Sequence, residues 1–413
     1  MPRGFAARVV CYQAVRDLIP FYGVYTLLFR DSGLSASQIS LLFVIWSLTG
    51  FVLEVPSGAW ADVVDRRRLL IVSGLISGAG YACWVVFPTF AGFAAGFVLW
   101  SLSGALESGT FEAWLFESLE ARGCEPQYAR IVGWSRSAAI AAALASTLSS
   151  APLFAWGGYD LVGWASVATG ASGALFAYLL PPGPPRAIAT DSADEIAEVV
   201  SASSQITRQY VSTLRNGLHE IARQPAVRHL VLVASAMLGL TVYDEFFPLV
   251  AKEHGVPSSV VPLAIAVTMV GQLVGTSLAG RTATMSGRAM GAVVAMSAVC
   301  VSVGALISPW LGFALLSLGF GLAHNAVIVS DAWLQAAMTG SARATVTSVA
   351  GFGTEIAALV GYVGFAAGSI VWSVSTLVAV AGVPMLAVAA SCVRWLAQDA
   401  GRAGYLSGTP TRR

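Results

Sequence analysis

The chain is 413 residues long, 56% of them apolar and only 11% charged, with a mean hydropathy of +0.73. A soluble domain carries about a quarter of its residues as charges, so this composition excludes a water-soluble globule and points to an integral membrane protein in a lipid bilayer. The net charge of +1 argues against nucleic acid as a partner, because binding phosphates takes a concentrated basic face.

Arg3 and Arg8 precede a first apolar run that contains Arg16 and Asp17 and shows no small-residue cleavage pattern, which reads as a retained span rather than a signal peptide. At about 20 residues per crossing, spans are expected near 6–28, 39–61, 69–88, 92–117, 129–150 and 159–180, and again near 226–250, 259–281, 288–308, 311–336, 344–368 and 374–396. No alternating segments of barrel length occur, so the expected fold is all-α, with 12 transmembrane helices in two six-helix bundles at 1–180 and 226–400. Between them, 181–225 opens on PPGPP and turns polar. Acidic residues come first and basic residues last, with an apolar stripe at helical spacing, which suits an amphipathic helix on the cytoplasmic side. A short tail, 401–413, follows the last span. All but four of the 23 Lys and Arg (Arg16, Arg30, Arg136 and Lys252) fall in one set of loops and termini, which the positive-inside rule places in the cytoplasm of a cell with this protein in its inner membrane. Cys11, Cys83, Cys124, Cys300 and Cys392 are odd in number and far apart, so neither a disulfide framework nor a metal centre is suggested, and no cofactor is expected.

The halves repeat. At an offset of 222, Arg30-Asp31 pairs with Lys252-Glu253, Gly33 with Gly255, Gly58 with Gly280 and Arg66 with Arg288. At 219, Glu112-Ala113-Trp114-Leu115 pairs with Asp331-Ala332-Trp333-Leu334. Two repeats about an axis along the membrane normal are a transporter arrangement.

The stretch Glu54 to Arg68, EVPSGAWADVVDRRR, carries a dense group of charges between two apolar runs, and small Gly58 and Ala59 allow close helix approach. It reads as a tight cytoplasmic turn, with Asp62 bridging to Arg66. This turn resembles the signature loop between the second and third helices of the major facilitator superfamily: Gly58, Asp62, Arg66 and Arg67 match its spacing, and Glu54-Val55-Pro56-Ser57 is similar to an EVPTG-type version found in one branch. Val63 and Asp65 depart from the pattern where a basic residue and a second glycine belong. In the second copy, GRTATMSGR, Thr284 stands where Asp62 does, so the cytoplasmic latch is expected to be stronger in the first half. The resemblance implies a secondary transporter whose two bundles rock about a solute site by alternating access.

Charged groups inside spans are costly and mark candidate solute or ion paths. Counted at 1.5 Å per residue, Arg16, Asp17, His324, Asn325 and Glu355 fall near mid-membrane, and Gln13 and Gln272 add polar contacts. His324, with an ordinary imidazole pKa of about 6.5, and the carboxyls of Asp17 and Glu355 are the groups expected to exchange protons. A cytoplasmic gate is expected from Glu54, Gly58, Asp62, Arg66, Arg67, Glu112, Glu117, Arg130, Arg136, Asp331 and Arg343, with Glu107 or Glu112 neutralising Arg136; Asp244 and Glu245 are candidates for an outer gate. No GxxxxGK[ST] pattern occurs, which removes ATP as a direct energy source and leaves an ion gradient. Motifs of the superfamily's drug/proton antiporters are absent from spans 4 and 5.

The reading is a monomeric secondary transporter of a small organic solute, coupled to protons and without enzymatic activity. Export of an amphipathic compound is favoured over uptake, because aromatic residues are abundant and a dense polar set for a sugar is lacking. The alternative is a transporter-shaped protein that serves as a membrane sensor or intramembrane enzyme. Against it, no nucleophile–base pair, metal-spaced His/Cys set or appended soluble domain is present.

Overall fold

The computed structural model describes residues 3–183, 212, 214–215, 217–219, 221–338 and 342–396, so most of the expected linker helix and the tail at 401–413 lie outside the described residues. Among those described, every regular element is helical. Contacts divide the chain into two units, Met1–Tyr210 with Pro257–Leu263, and Val211–Val256 with Ala264–Arg413.

In the first unit, α1 (Arg3–Arg16) stops short of Pro20, whose ring removes an N–H and holds Ile19 extended, at φ −109° and ψ 100°. A 3-10 turn at Pro20–Gly23 and a seven-residue helix α2 (Tyr25–Asp31) complete the pass. Unwound backbone at membrane depth needs partners from neighbouring helices. Here two serines provide them: Phe21 N–H donates to Ser166 Oγ at 3.0 Å, and Ser150 Oγ donates to the Pro20 carbonyl.

Helix α3 (Ala36–Val63) starts on a capping box, in which Gln38 N–H donates to Ser35 Oγ at 3.2 Å and Ser35 N–H donates to Gln38 Oε1 at 2.9 Å. It runs on through Glu54, so the expected turn at 54–68 narrows to Val64 and Asp65. Asp65 caps α4 (Arg66–Val86) by accepting from Arg68 N–H at 2.8 Å. The charges of that stretch are thus divided between two helix ends. Helices α5 (Phe90–Glu107) and α6 (Thr110–Glu120) form one interrupted pass; the break falls at Ser108 and Gly109, whose φ of +72° lies in the left-handed region that glycine tolerates.

Helix α7 (Tyr128–Leu179) has 52 residues, about 78 Å if straight against a hydrocarbon core of about 30 Å. Its torsions leave the helical region at Gly157 and Gly158. The two stitching serines show that it turns back there: Ser150 and Ser166 would be about 24 Å apart on a straight helix, yet they reach the adjacent residues Pro20 and Phe21.

The second unit contains α8 (Pro225–Gly239), a 3-10 turn at Leu240–Phe246, α9 (Phe247–Glu253), α10 (Val261–Thr282), α11 (Gly287–Gly304), α12 (Pro309–Ala337), α13 (Ala342–Gly368), α14 (Val374–Val380) and α15 (Gly382–Ser391). Among the described residues, 10 helices are long and apolar enough to cross a membrane. That count takes the folded-back α7 as one and omits the interrupted pass α1–α2, which accounts for the difference from the twelve expected.

The repeat seen in sequence has a structural counterpart. Helices α2 and α9 are both seven residues long, lie 222 positions apart and end at glycines of positive φ, Gly33 (+92°) and Gly255 (+78°). Their last residues do the same job. Asp31 accepts from Tyr159 Oη at 2.6 Å; Glu253 accepts from the N–H groups of Val374 and Ser375 at 2.9 and 2.8 Å and from Ser375 Oγ at 2.7 Å. Each acid ties its unit's interrupted pass to the start of that unit's last pass.

Candidate functional site

Where α1 ends and α5 breaks, the first unit brings charge together. Arg16 is the last residue of α1 and Glu107 the last of α5, and Arg16 Nε forms an ion pair with Glu107 Oε2. The environments of the partners differ: the Glu107 side chain is 5% exposed and that of Arg16 40%. Arg16 lines two cavities, which explains how a residue at this depth stays uncovered.

The first cavity, about 40 Å³, is polar, lined by Tyr12, Tyr22, Tyr81, Ser73, Ser77 and Ser103 around Arg16, Asp17 and Glu107, with Trp100 on one wall. Ser103 Oγ donates to the Ser73 carbonyl at 2.8 Å, joining α5 to α4. At roughly 10–15 Å³ per water, this space admits a few waters and no organic solute. Beneath it lies an aromatic core in which Trp84, 1% exposed, meets Phe29, Phe97 and Trp100 with centroids 5.2, 4.9 and 5.9 Å away and donates to the Phe93 carbonyl at 3.0 Å. The second cavity, about 210 Å³, is lined by Gln13, Phe111, Glu112, Val132, Ser135 and Arg136, and again by Arg16 and Asp17. Arg16 and Asp17 therefore form the wall between a water-sized space and a larger one.

The charges of these cavities do not cancel. Two guanidiniums, Arg16 and Arg136, face three carboxyls, Asp17, Glu107 and Glu112. The Arg16 guanidinium, paired with Glu107, is also the charge that acts on the Asp17 carboxyl, and Glu107 Oε1 has no hydrogen-bond donor. Both α1 and α5 also point their C-terminal ends, the negative ends of the helix dipole, at this place.

Other expected site residues lie elsewhere. His324 Nδ1 is 3.1 Å from the Phe320 carbonyl and the ring packs edge-on to Phe320, centroids 4.2 Å apart. Asn325 is buried; its amide donates to the Gly275 carbonyl at 3.0 Å and exchanges hydrogen bonds with Thr282, so it joins α12 to α10. Gln272 and Glu355 are half-buried on α10 and α13, and Asp244 and Glu245 are half-buried in the 3-10 turn after α8. Of the expected gate, Arg66 pairs with Glu117 at 2.5 Å, and Arg67 donates to the Tyr178 carbonyl while lying 5.0 Å over the Tyr178 ring. Arg130 stacks 4.4 Å over Trp134, and Glu54 and Asp331 are exposed. The side chains of Gly58, Asp62 and Arg343 lie outside the described residues.

One pairing differs from expectation: Glu107 pairs with Arg16, not Arg136, because the break after α5 ends the helix facing α1. The serines of the small cavity, and Tyr22 and Tyr81, were not singled out by sequence, whereas Tyr12 was among the candidates for polar contacts. The signal that could have turned Glu107 from Arg136 to Arg16 is Ser108-Gly109, a breaker inside an apolar run.

Interrupted helices, two like halves and an interior ion pair define a polytopic helical membrane protein built around a polar site. The sequence model of the Major Facilitator Superfamily matches residues 9–362, and the chain belongs to that family. Solved structures agree in fold. A bacterial homologue of the iron transporter ferroportin, inward-facing, superposes with a TM-score of 0.71 at 14% identity, covering 96% of this chain and 99% of that one. The nucleoside transporter NupG gives 0.68 at 13% (95% and 98% covered), and a D-xylose–proton symporter 0.66 at 14% (95% and 96%). No curated protein matches the sequence. Family and fold make this a membrane solute transporter.

Proposed function

We propose that the protein exports a small organic solute by alternating access, exchanging it for protons that bind at the carboxyl groups around Arg16. It would act as a monomer without enzymatic activity, in a cytoplasmic membrane with both termini inside. The observation that carries this reading is the uneven charge of the two cavities: three carboxyls against two guanidiniums, with Arg16 shared between Asp17 and Glu107. Where carboxyls outnumber their counter-ions at membrane depth, a proton can come and go without dismantling the bundle. The similar D-xylose–proton symporter is, by its name, coupled to protons. Export is supported by the apolar wall of the larger cavity, formed by Phe111, Val132 and Ala139, which suits an amphipathic solute better than a sugar.

The test begins with thermal-shift screening of sugars, nucleosides and amphipathic amines, since a solute that binds only the folded state raises its apparent stability. Hits are then assayed in liposomes with an imposed pH gradient. Solute should move against its own gradient when protons flow the opposite way, and Asp17→Asn should abolish that uphill movement while leaving downhill exchange. Movement indifferent to the pH gradient would remove proton coupling.

A further inference from the structure

The larger cavity carries information about the solute itself. Its charged lining residues are Arg16, Asp17, Glu112 and Arg136, two guanidiniums and two carboxyls, so the space holds both signs and is neutral in sum. At the α1 wall Arg16 is paired with Glu107 and also acts on the adjacent Asp17, so that wall is compensated within itself. On the other walls Glu112 stands in the first turn of α6, and Arg136 lies about 12 Å along α7 from Tyr128. Both charges are felt at the Tyr128 hydroxyl, so they stand near each other. Among the described residues, however, they form no ion pair with one another and no hydrogen bond. A third group is open beside them. Ser135, next to Arg136 on α7 and 1% exposed, lines the same cavity, and its Oγ has no hydrogen-bond partner.

Unpaired charges and an unmet hydroxyl are costly at this depth. A ligand that carries a carboxylate and an ammonium meets all three, whereas a net cation would face two guanidiniums and a net anion two carboxyls. The remaining wall is apolar, formed by Phe111, Val132 and Ala139. Phe111 is 3% exposed and stacked on Tyr12 at 5.8 Å, so its ring is held in place. At about 210 Å³ the cavity is below the roughly 300–1,000 Å³ of pockets that take drug-sized ligands.

We infer that the larger cavity binds a zwitterionic amino acid with an apolar side chain. Its carboxylate lies on Arg136 and Ser135, its ammonium on Glu112, and its side chain against Phe111 and Val132. The inference rests on the transport reading above and names the substrate class. It keeps solute and proton apart: the solute's charges are met on α6 and α7, while protons bind beside Arg16.

The test uses the full-length protein in detergent without added lipid, and four probes of one carbon skeleton. These are L-leucine, the cation 3-methylbutylammonium, the anion 4-methylpentanoate and neutral 3-methylbutan-1-ol. Binding is read by calorimetry at pH 7, where both charges of leucine are present. Leucine should bind, loss of either charge should weaken binding about tenfold to a hundredfold, and the alcohol should not bind. Glu112→Gln should weaken leucine about tenfold or more and leave 4-methylpentanoate unchanged. Arg136→Gln should weaken leucine likewise and leave 3-methylbutylammonium unchanged, and Arg136→Lys should recover part of the loss. A merely structural role for either residue would lower all charged probes alike.

Equal binding of leucine and either singly charged probe overturns the inference, as does leucine affinity kept in folded Glu112→Gln and Arg136→Gln. The wild-type series decides the matter even if the variants do not fold. Failure of leucine and L-phenylalanine to bind while pH-driven transport of another solute persists removes the solute class and leaves the transport reading standing. Leucine binding in a protein whose transport ignores the pH gradient supports this inference and removes proton coupling alone.

Discussion

The ion pair at the end of α1 predicts an unequal response to removing either partner. Glu107 is 5% exposed; Arg16, at 40%, borders two cavities. Arg16→Met leaves a buried carboxylate with no counter-charge, a change that costs about 3–5 kcal/mol. Glu107→Gln leaves a guanidinium that keeps a neutral acceptor and reaches cavity water. The loss is then the difference between a charged and a neutral hydrogen bond, about 1 kcal/mol. Replacing both, as Arg16→Met with Glu107→Leu, removes the charges together and should come close to wild-type stability, since apolar pairs of similar volume replace buried ion pairs at little cost. The three variants and wild type form a double-mutant cycle, read by reversible unfolding in mixed micelles with SDS as denaturant. The expected order of stability is double variant and wild type, then Glu107→Gln, then Arg16→Met. Equal losses for the two single changes would refute the asymmetry of environment, and a double variant less stable than either single one would refute the ion pair as the interaction removed. The double variant should also be inert in pH-driven transport, which separates the structural role of the pair from its functional one.

Three further outcomes follow from the interrupted helices. Glu253→Gln should cost about 2 kcal/mol, because its carboxylate accepts three hydrogen bonds; hydrogen exchange should quicken at 374–380 in Glu253→Gln and hold there in Asp31→Asn, whose carboxylate binds Tyr159 instead. Gly109→Ala should destabilise by about 1–2 kcal/mol through backbone strain alone, since a Cβ at Gly109 meets nothing within 4 Å; thermal unfolding reads this, and Gly104→Ala, equally uncrowded and helical, serves as the neutral control. Ser150→Ala combined with Ser166→Ala should cost about 2 kcal/mol, one per hydrogen bond removed from the unwound pass. Its readout is faster exchange of the Phe21 amide with α4 unchanged.

The architecture was legible because hydrophobic length and charge placement are decided by the bilayer, residue by residue. The repeat at 222 was visible as Arg30-Asp31 against Lys252-Glu253, and the structure turns those letters into two short helices of equal length that end on glycines of positive φ. The breaks were harder to read. Pro20 sits in an apolar run that satisfies any hydropathy window, and what makes the break tolerable is a pair of serines more than a hundred residues away. Arg16 and Asp17 could be picked out because ionised groups at mid-span always need an explanation. Their partner could not, because which face Glu107 presents depends on where α5 stops, and α5 stops at a glycine that counts as apolar in a window. Asn325 illustrates the reverse case. It is as conspicuous in sequence as Arg16, yet its amide is taken up by Gly275 and Thr282.

The repeat also shows what the site requires beyond an interrupted helix. At the same offsets, the positions of Arg16, Asp17 and Glu107 correspond to Leu238, Gly239 and Ala326. The second unit keeps the interrupted first pass, with its 3-10 turn and seven-residue helix, but α8 ends on the uncharged Leu238 and Gly239, and its carboxyls, Asp244 and Glu245, stand within the 3-10 turn beyond. Its pass equivalent to α5–α6 is unbroken, since Ile328 stands where Gly109 does and α12 runs from Pro309 to Ala337. Its polar groups are taken up by packing: Trp333 Nε1 donates to the Ala283 carbonyl at 2.8 Å, and His254 Nε2 lies 2.9 Å from that of Ala305. Both halves thus have the scaffold that can expose backbone at membrane depth, and the first adds to it a second break, at Gly109, and the Arg16–Glu107 ion pair. The Arg16–Glu107 pair is therefore a feature of the first half's own sequence, set by two charges and one glycine on a frame that the duplication supplied twice.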